Sequence, residues 1–159
     1  AAHFNSLLKR NGYEVPDLSF STFKGHLKGA IDLVFCHEEK YYLLDYKSNY
    51  LGSSVNDYRQ EDMHLAMNEH RYDLQYLIYT LALHRYLQSR LGERYEYQRD
   101  FGGVFYLYLR GLSFEGVSLD ESERGLETDS DTGGERAGVF FTKPDWQLIH
   151  ELDSELGKL

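Results

Sequence analysis

Two apolar runs, set a few residues apart, constrain this chain more than any other feature. The first is Gly29-Ala30-Ile31-Asp32-Leu33-Val34-Phe35 and the second is Tyr41-Tyr42-Leu43-Leu44-Asp45-Tyr46-Lys47-Ser48, with the polar patch His37-Glu38-Glu39-Lys40 between them. Aliphatic, β-branched and aromatic runs around a polar turn predict a β-hairpin. Closed symmetrically about Glu38-Glu39, the hairpin sets Cys36 opposite Tyr41 and Asp32 opposite Asp45. Directly opposed residues on antiparallel strands point to one face, with Cβ atoms about 5 Å apart. Lys47 lies two positions beyond Asp45 and shares that face.

Two opposed carboxylates repel each other and lose hydration, which costs stability. A divalent cation between them reverses the sign, and hard oxygen ligands favour magnesium, manganese or calcium. A lysine beside such a cation can stabilise a developing oxyanion or position a water. These are the components of metal-assisted phosphodiester hydrolysis. Spacing alone leaves a second reading open, a chance pair of strand acids with one salt-bridged to Lys47, because a one-residue slip in the turn changes every facing.

At 159 residues the chain suits one domain with a real core. Its single cysteine, Cys36, excludes an internal disulfide and fits a reducing compartment. No apolar run reaches membrane-spanning length and no signal peptide is visible. No internal repeat, zinc spacing, P-loop or Gly-rich dinucleotide loop occurs. A net charge of -9 opposes free-standing nucleic-acid binding, which needs clustered Lys and Arg. A nuclease of this composition needs metal at its cleft, a local basic patch, or a partner that delivers the strand.

In chain order, residues 4–10 predict a short helix with Phe4, Leu7 and Leu8 on one side, stopped at Asn11-Gly12. Loose alternation over 18–27 predicts a strand bent at Gly25, with His26 and Lys28 solvated or near the cleft. A loop over 49–54 leads to helix N-caps within 53–57. Helical character then runs over 57–91, with a break near Asn68-Glu69-His70. The second helix is apolar on most sides, through Leu74, Leu77, Ile78, Leu81 and Ala82 and again through Tyr76, Tyr79, Leu83, Tyr86 and Leu87, so it should pack centrally against the sheet. Gln75 and Tyr79 share one face. They could reach a metal cleft or a phosphate, although periodicity alone favours a core helix whose Gln75 meets a backbone group. Arg71, His84, Arg85 and Arg90 read as solvated.

Leu91-Gly92 ends that helix, and Phe101-Gly102-Gly103 opens an interior strand over 104–110 with apolar residues on both faces. Residues 120–136 are acidic and nearly free of aliphatics, which predicts a mobile surface loop. Val139-Phe140-Phe141 predicts a short edge strand. Lys143-Pro144-Asp145 then starts a last helix carrying Trp146, Ile149 and Leu152, with proline in its first turn.

Several of these segments together resemble one family. Gly29-Ala30-Ile31-Asp32-Leu33-Val34-Phe35, Leu44-Asp45-Tyr46-Lys47-Ser48-Asn49 and Leu51-Gly52 come first. Tyr72-Asp73-Leu74-Gln75-Tyr76, 79–87 and Phe101-Gly102-Gly103-Val104 follow, and the match closes near Leu109-Arg110-Gly111 and Gly138-Val139-Phe140. In this order they resemble the C-terminal nuclease domain of the RecB family, the beta subunits of exodeoxyribonuclease V, within the PD-(D/E)XK nuclease superfamily. The resemblance implies an α/β, restriction-endonuclease-like fold, with a mixed central sheet flanked by helices, that cleaves DNA with magnesium (manganese as a substitute). It matches Asp32 and Asp45 to the metal-binding acids, Tyr46 to the residue whose backbone carbonyl completes the metal shell, and Lys47 to the catalytic lysine. Gln75 and Tyr79 match the Gln-x-x-x-Tyr pair near the DNA path. The proline that precedes the first acid in the superfamily name is absent here, as is usual in the RecB branch.

The family also places a metal-binding histidine and a further acid upstream of the matched region, and His3 does not align to that histidine. The chain begins Ala1-Ala2-His3-Phe4 without an initiator Met, so residues 1–159 are expected to be one nuclease domain truncated at its N-terminus, weakly active or inactive alone. The resemblance further implies a cytoplasmic enzyme of double-strand break repair by homologous recombination, with an ATP-driven helicase motor outside this stretch. Its partners would be DNA, the gamma and alpha subunits of exodeoxyribonuclease V, and the recombinase RecA. Two alternatives remain: a non-catalytic module that docks RecA or partner subunits, and an unrelated carboxylate-based metal or carbohydrate domain, which the ordered motifs disfavour.

Overall fold

The tightest element is the hairpin turn. In the computed structural model, which describes residues 2–13, 29–112 and 136–156, strand β1 (Leu33–His37) turns into β2 (Lys40–Lys47) through Glu38 and Glu39 alone. Both residues have positive φ, 48° and 62°, as a two-residue type I′ connection requires. The register is the one expected from the sequence, with Cys36 opposite Tyr41 and Leu33 opposite Leu44.

Strand β2 pairs on its other side with β3 (Phe101–Tyr108), in parallel, and β3 pairs antiparallel with the edge strand β4 (Val139–Thr142). Parallel neighbours need a long crossover. Here it contains a 3-10 turn (Val55–Tyr58), α2 (Gln60–Glu69) and α3 (Tyr72–Leu91). Ser54 and Asp57 cap the 3-10 turn reciprocally, and the helical stretch breaks at His70-Arg71. Two further helices, α1 (Ala2–Arg10) and α5 (Trp146–Leu156), pack together, and α5 also packs on α3. The short α4 (Tyr97–Asp100) leads directly into β3.

This is the mixed α/β architecture expected from the sequence. Strand periodicity sorts the sheet into two unlike faces. Leu43, Asp45 and Lys47 from β2, Val104, Tyr106 and Tyr108 from β3 and Phe140 from β4 are buried on one face. Tyr72 and Tyr76 of α3 meet Tyr106 there. The core continues through Leu77, Leu81, Leu148, Ile149, Leu152, Leu7 and Leu8. On the reverse face, Phe35, Tyr42, Phe105 and Phe141 form a row of rings with centroid spacings of 5.1, 5.8 and 4.8 Å. Leu33, Tyr46 and Phe141 on that face are exposed.

Several local readings need correction. His84 is buried, not solvated: its ring packs between Tyr95, Tyr97 and Trp146, and Nδ1 lies 3.2 Å from the Tyr95 hydroxyl. Arg71 is half-buried and ion-paired to Asp73. Tyr86, expected on the apolar stripe, is exposed because the helix turns that edge away from the sheet. Pro144 precedes α5, and Asp145 caps the helix instead, its carboxylate accepting from the Gln147 N–H at 2.7 Å. The strand expected over 18–27, with His26 and Lys28, lies outside the described residues. So does the acidic loop over 120–136, save its last residue.

Candidate metal and phosphodiester site

Continuing the observed hairpin register by one residue sets Asp32, at a bend just before β1, opposite Asp45. Asp32 is exposed, and its Oδ2 accepts a hydrogen bond from the Tyr46 backbone N–H at 2.9 Å. That bond ties the acid to the β2 backbone beside Asp45. Tyr46 points its own ring to the reverse face, so only its main chain belongs to this site.

Asp45 and Lys47 are 7% and 8% exposed. Lys47 Nζ lies 2.6 Å from Asp45 Oδ2 and donates to Gln75 Oε1 at 2.9 Å. It also stands 3.7 Å from the centre of the Tyr72 ring and 4.9 Å from that of Tyr106. A buried ammonium is costly unless its donors are met. Here a carboxylate, an amide oxygen and an aromatic face meet them.

Gln75 is the hub of the polar chain. Its Oε1 also accepts from the Tyr106 hydroxyl at 3.1 Å, and its Nε2 donates to the Tyr79 hydroxyl at 3.3 Å. Burial, reinforced by the nearby Asp45 charge, pushes the Tyr106 phenol far above its usual titration range, so it stays a proton donor. The core-helix reading of Gln75 is therefore replaced by side-chain contacts to Lys47, Tyr106 and Tyr79. Tyr79 in turn lies against Gly29, where an added Cβ would meet the ring at 2.9 Å.

Sequence reasoning missed Tyr72 and Tyr106. Tyr72 stands three residues before Gln75 on the same helix face, a signal that was available. Tyr106 pairs with Asp45 across the parallel β2–β3 register, which no local pattern announces.

The donor set decides what ion the site could take. Among the described residues, no group of three or more His, Cys, Asp or Glu side chains could hold a metal. The site offers two carboxylates, Asp32 and Asp45, and the Tyr46 carbonyl. Hard oxygens in this number fit magnesium, which keeps several waters and rarely takes an all-protein shell.

No model of a known protein family matches the chain. Its likeness to individual proteins is extensive. Over 152 residues it is 48% identical to the RecBCD enzyme subunit RecB of Haemophilus influenzae, covering 94% of this chain and 11% of that protein. Against the RecBCD enzyme subunit RecB of Escherichia coli the identity is 52% over 119 residues, 75% of the chain and 10% of the relative. The corresponding subunit of Mycolicibacterium smegmatis is 34% identical over 144 residues, 87% of the chain and 12% of the relative. The chain thus spans about a tenth of the length of the curated relatives it matches.

Proposed function

This chain belongs to the RecB family, and from that premise we propose that it is a magnesium-dependent DNA nuclease domain serving double-strand break repair by homologous recombination. We read residues 1–159 as one domain of a longer cytoplasmic helicase–nuclease, whose ATP-driven motor and gamma and alpha partner subunits would bring the strand to an acidic surface. The observation that carries this reading is the buried chain Asp45–Lys47–Gln75 beside Asp32 at the mouth of the hairpin.

Asp32, Asp45 and the Tyr46 carbonyl would hold the cation, and manganese would substitute for magnesium. When bound, a divalent ion supplies charge to the phosphate oxygens and lowers the pKa of a water. The residues do the rest. Lys47 presents its ammonium to the charge that accumulates as the water oxygen bonds to phosphorus and the ester oxygen departs. Gln75 and the faces of Tyr72 and Tyr106 hold that ammonium still, so little reorganisation is needed during reaction. Gln75 and Tyr79 line the approach of the DNA strand.

The test is cleavage of a labelled DNA strand by the intact polypeptide with magnesium. Asp45→Ala should lower cleavage by at least about a hundredfold, the scale for losing a group that acts in the transition state. Circular dichroism should confirm the fold, since unpairing Lys47 costs about 3–5 kcal/mol. Chelation should abolish cleavage reversibly. Activity that survives Asp45→Ala removes the reading. A second reading, a docking module for RecA or partner subunits, draws on the exposed apolar residues Leu33, Tyr46 and Phe141 of the reverse sheet face. It predicts metal-independent binding of RecA that Asp45→Ala leaves intact.

A further inference from the structure

We infer that Tyr50 and Arg110, just beyond the carboxyl ends of β2 and β3, form a nucleotide platform beside Lys47. Tyr50 takes the face of a base and Arg110 the adjoining phosphate. The inference rests on the nuclease reading above and adds a contact carried by two loops rather than by α3.

Open α/β sheets gather ligands outside the carboxyl ends of their parallel strands. Here β2 and β3 are the parallel pair, and they end side by side at Lys47 and Tyr108. The segments that leave them carry Ser48-Asn49 with Leu51-Gly52, and Leu109-Arg110-Gly111, which the chain of contacts around Lys47 does not absorb. Both segments are pinned. The Leu109 N–H donates to the Lys47 carbonyl and the Gly111 N–H to the Tyr108 carbonyl, each at 2.9 Å. Gly111 lies against Tyr58, where an added Cβ would come within 2.3 Å of the side chain. The Tyr58 hydroxyl in turn accepts from the Leu51 N–H at 3.3 Å. The Tyr72 hydroxyl donates to Asn49 Oδ1 at 3.2 Å, and the ring of the same tyrosine covers the Lys47 ammonium.

Between those two held neighbours, Tyr50 is 66% exposed. Arg110 stands over its ring, 5.9 Å from the centroid, and donates through Nε to the Ser48 carbonyl at 3.1 Å. The residue is exposed, and among the described residues no carboxylate pairs with it. One Nε contact leaves the outer donors of the guanidinium fork for a phosphate. The stretch 48–58 holds a single acid, Asp57, whose carboxylate accepts from the Ser54 N–H at 2.8 Å. In a chain of net charge -9, this corner therefore offers a polyanion a cation that no acid has claimed. An aromatic face with an arginine beside it is what a strand-binding surface uses: the ring stacks on any base, and the guanidinium serves the backbone. Tyr50 lies three residues past Lys47, at most about 11 Å of backbone, so its nucleotide is a near neighbour of the one at the ammonium.

The test walks a single abasic residue along a labelled DNA strand cut by the intact polypeptide with magnesium. Wild type should lose about tenfold in kcat/KM when the missing base is the one that stacks on Tyr50. Tyr50→Ala should lose a similar factor on the complete strand, mostly in KM. It should lose nothing further at that one position while still responding at others, a pattern that a purely structural tyrosine cannot produce. Tyr50→Phe keeps the ring and should behave as wild type. Arg110→Gln should raise KM and flatten its dependence on salt by about 0.7 in log–log slope, the share of one single-strand phosphate. Tyr50 is mostly in solvent, so its variants leave the core untouched. A Tyr50→Ala enzyme as sensitive as wild type at every position overturns the stacking assignment, and an unchanged salt slope in Arg110→Gln overturns the phosphate contact. Cleavage that survives Asp45→Ala sinks the nuclease reading itself, whereas cleavage lost with Asp45 but indifferent to Tyr50 and Arg110 sinks only the platform.

Discussion

Lys47 shows how far a single residue can be read in advance. Period-two alternation places it on the face of Asp45, within reach of the 2.6 Å contact that the structure shows. Its ceiling of Tyr72 and Tyr106 does not, because both arrive from segments whose packing is set by the tertiary fold. His84 was misread for a related reason. A histidine on a helix with two apolar stripes looks like a polar interruption, yet Tyr95, Tyr97 and Trp146 enclose it. Burial holds its ring below the ordinary value of 6.5, with Arg85 and His150 adding to the effect against the opposing pull of Asp153. The unfolded chain therefore takes up this proton first as pH falls. The stabilisation is complete above about pH 6.5 and declines as pH drops from there toward the folded value. Thermal melts between pH 7.5 and about 5.5 should show a falling midpoint, with a shallower fall in His84→Gln. Identical slopes in the two proteins would remove this account.

Among the elements, the hairpin was the most legible, with its turn placed at Glu38-Glu39 but the geometry of that turn unannounced. Alternation and the polar patch suggested the register that the structure has, but spacing alone left a one-residue slip open, which would carry Asp45 and Lys47 out to the reverse face. The turn lacks the Asn-Gly or Asp-Gly pair that usually announces a type I′ geometry; Glu38 and Glu39 adopt it against their own preference. Glu39→Gly should therefore raise stability by about 1 kcal/mol, read as a higher urea midpoint at unchanged slope. Lower stability would show that the glutamate makes a compensating contact. The α2–α3 break was legible as polar punctuation, but the left-handed Arg71 within it was not, because the sequence supplies no glycine there. The parallel pairing of β2 with β3 could not be read at all, since a crossover of two helices separates the strands.

At the scale of the molecule, the helices rest on one shared cluster that reaches from Leu8 through Ile149 and Leu81 to Tyr106. Ile149 is fully buried in α5 and takes no part in the site. Ile149→Ala should cost about 2–5 kcal/mol, with cleavage per folded molecule unchanged, as checked by denaturant titration alongside activity. Loss of activity without loss of stability would mean that α5 is coupled to the site.

The span of the Lys47 contacts has a consequence for the nascent chain. Asp45 and Lys47, with Asp32 tied to the Tyr46 backbone beside them, are brought together by a hairpin closed by two residues, the kind of local structure that forms in microseconds. Gln75 reaches Lys47 only after a loop of 28 residues closes, and Tyr106 arrives from still further along the chain. A polypeptide leaving the ribosome thus gathers its acids and its amine early, but stays without the parts that steady them until β3 docks. Completion of the surroundings of Lys47 is thus deferred to the end of folding.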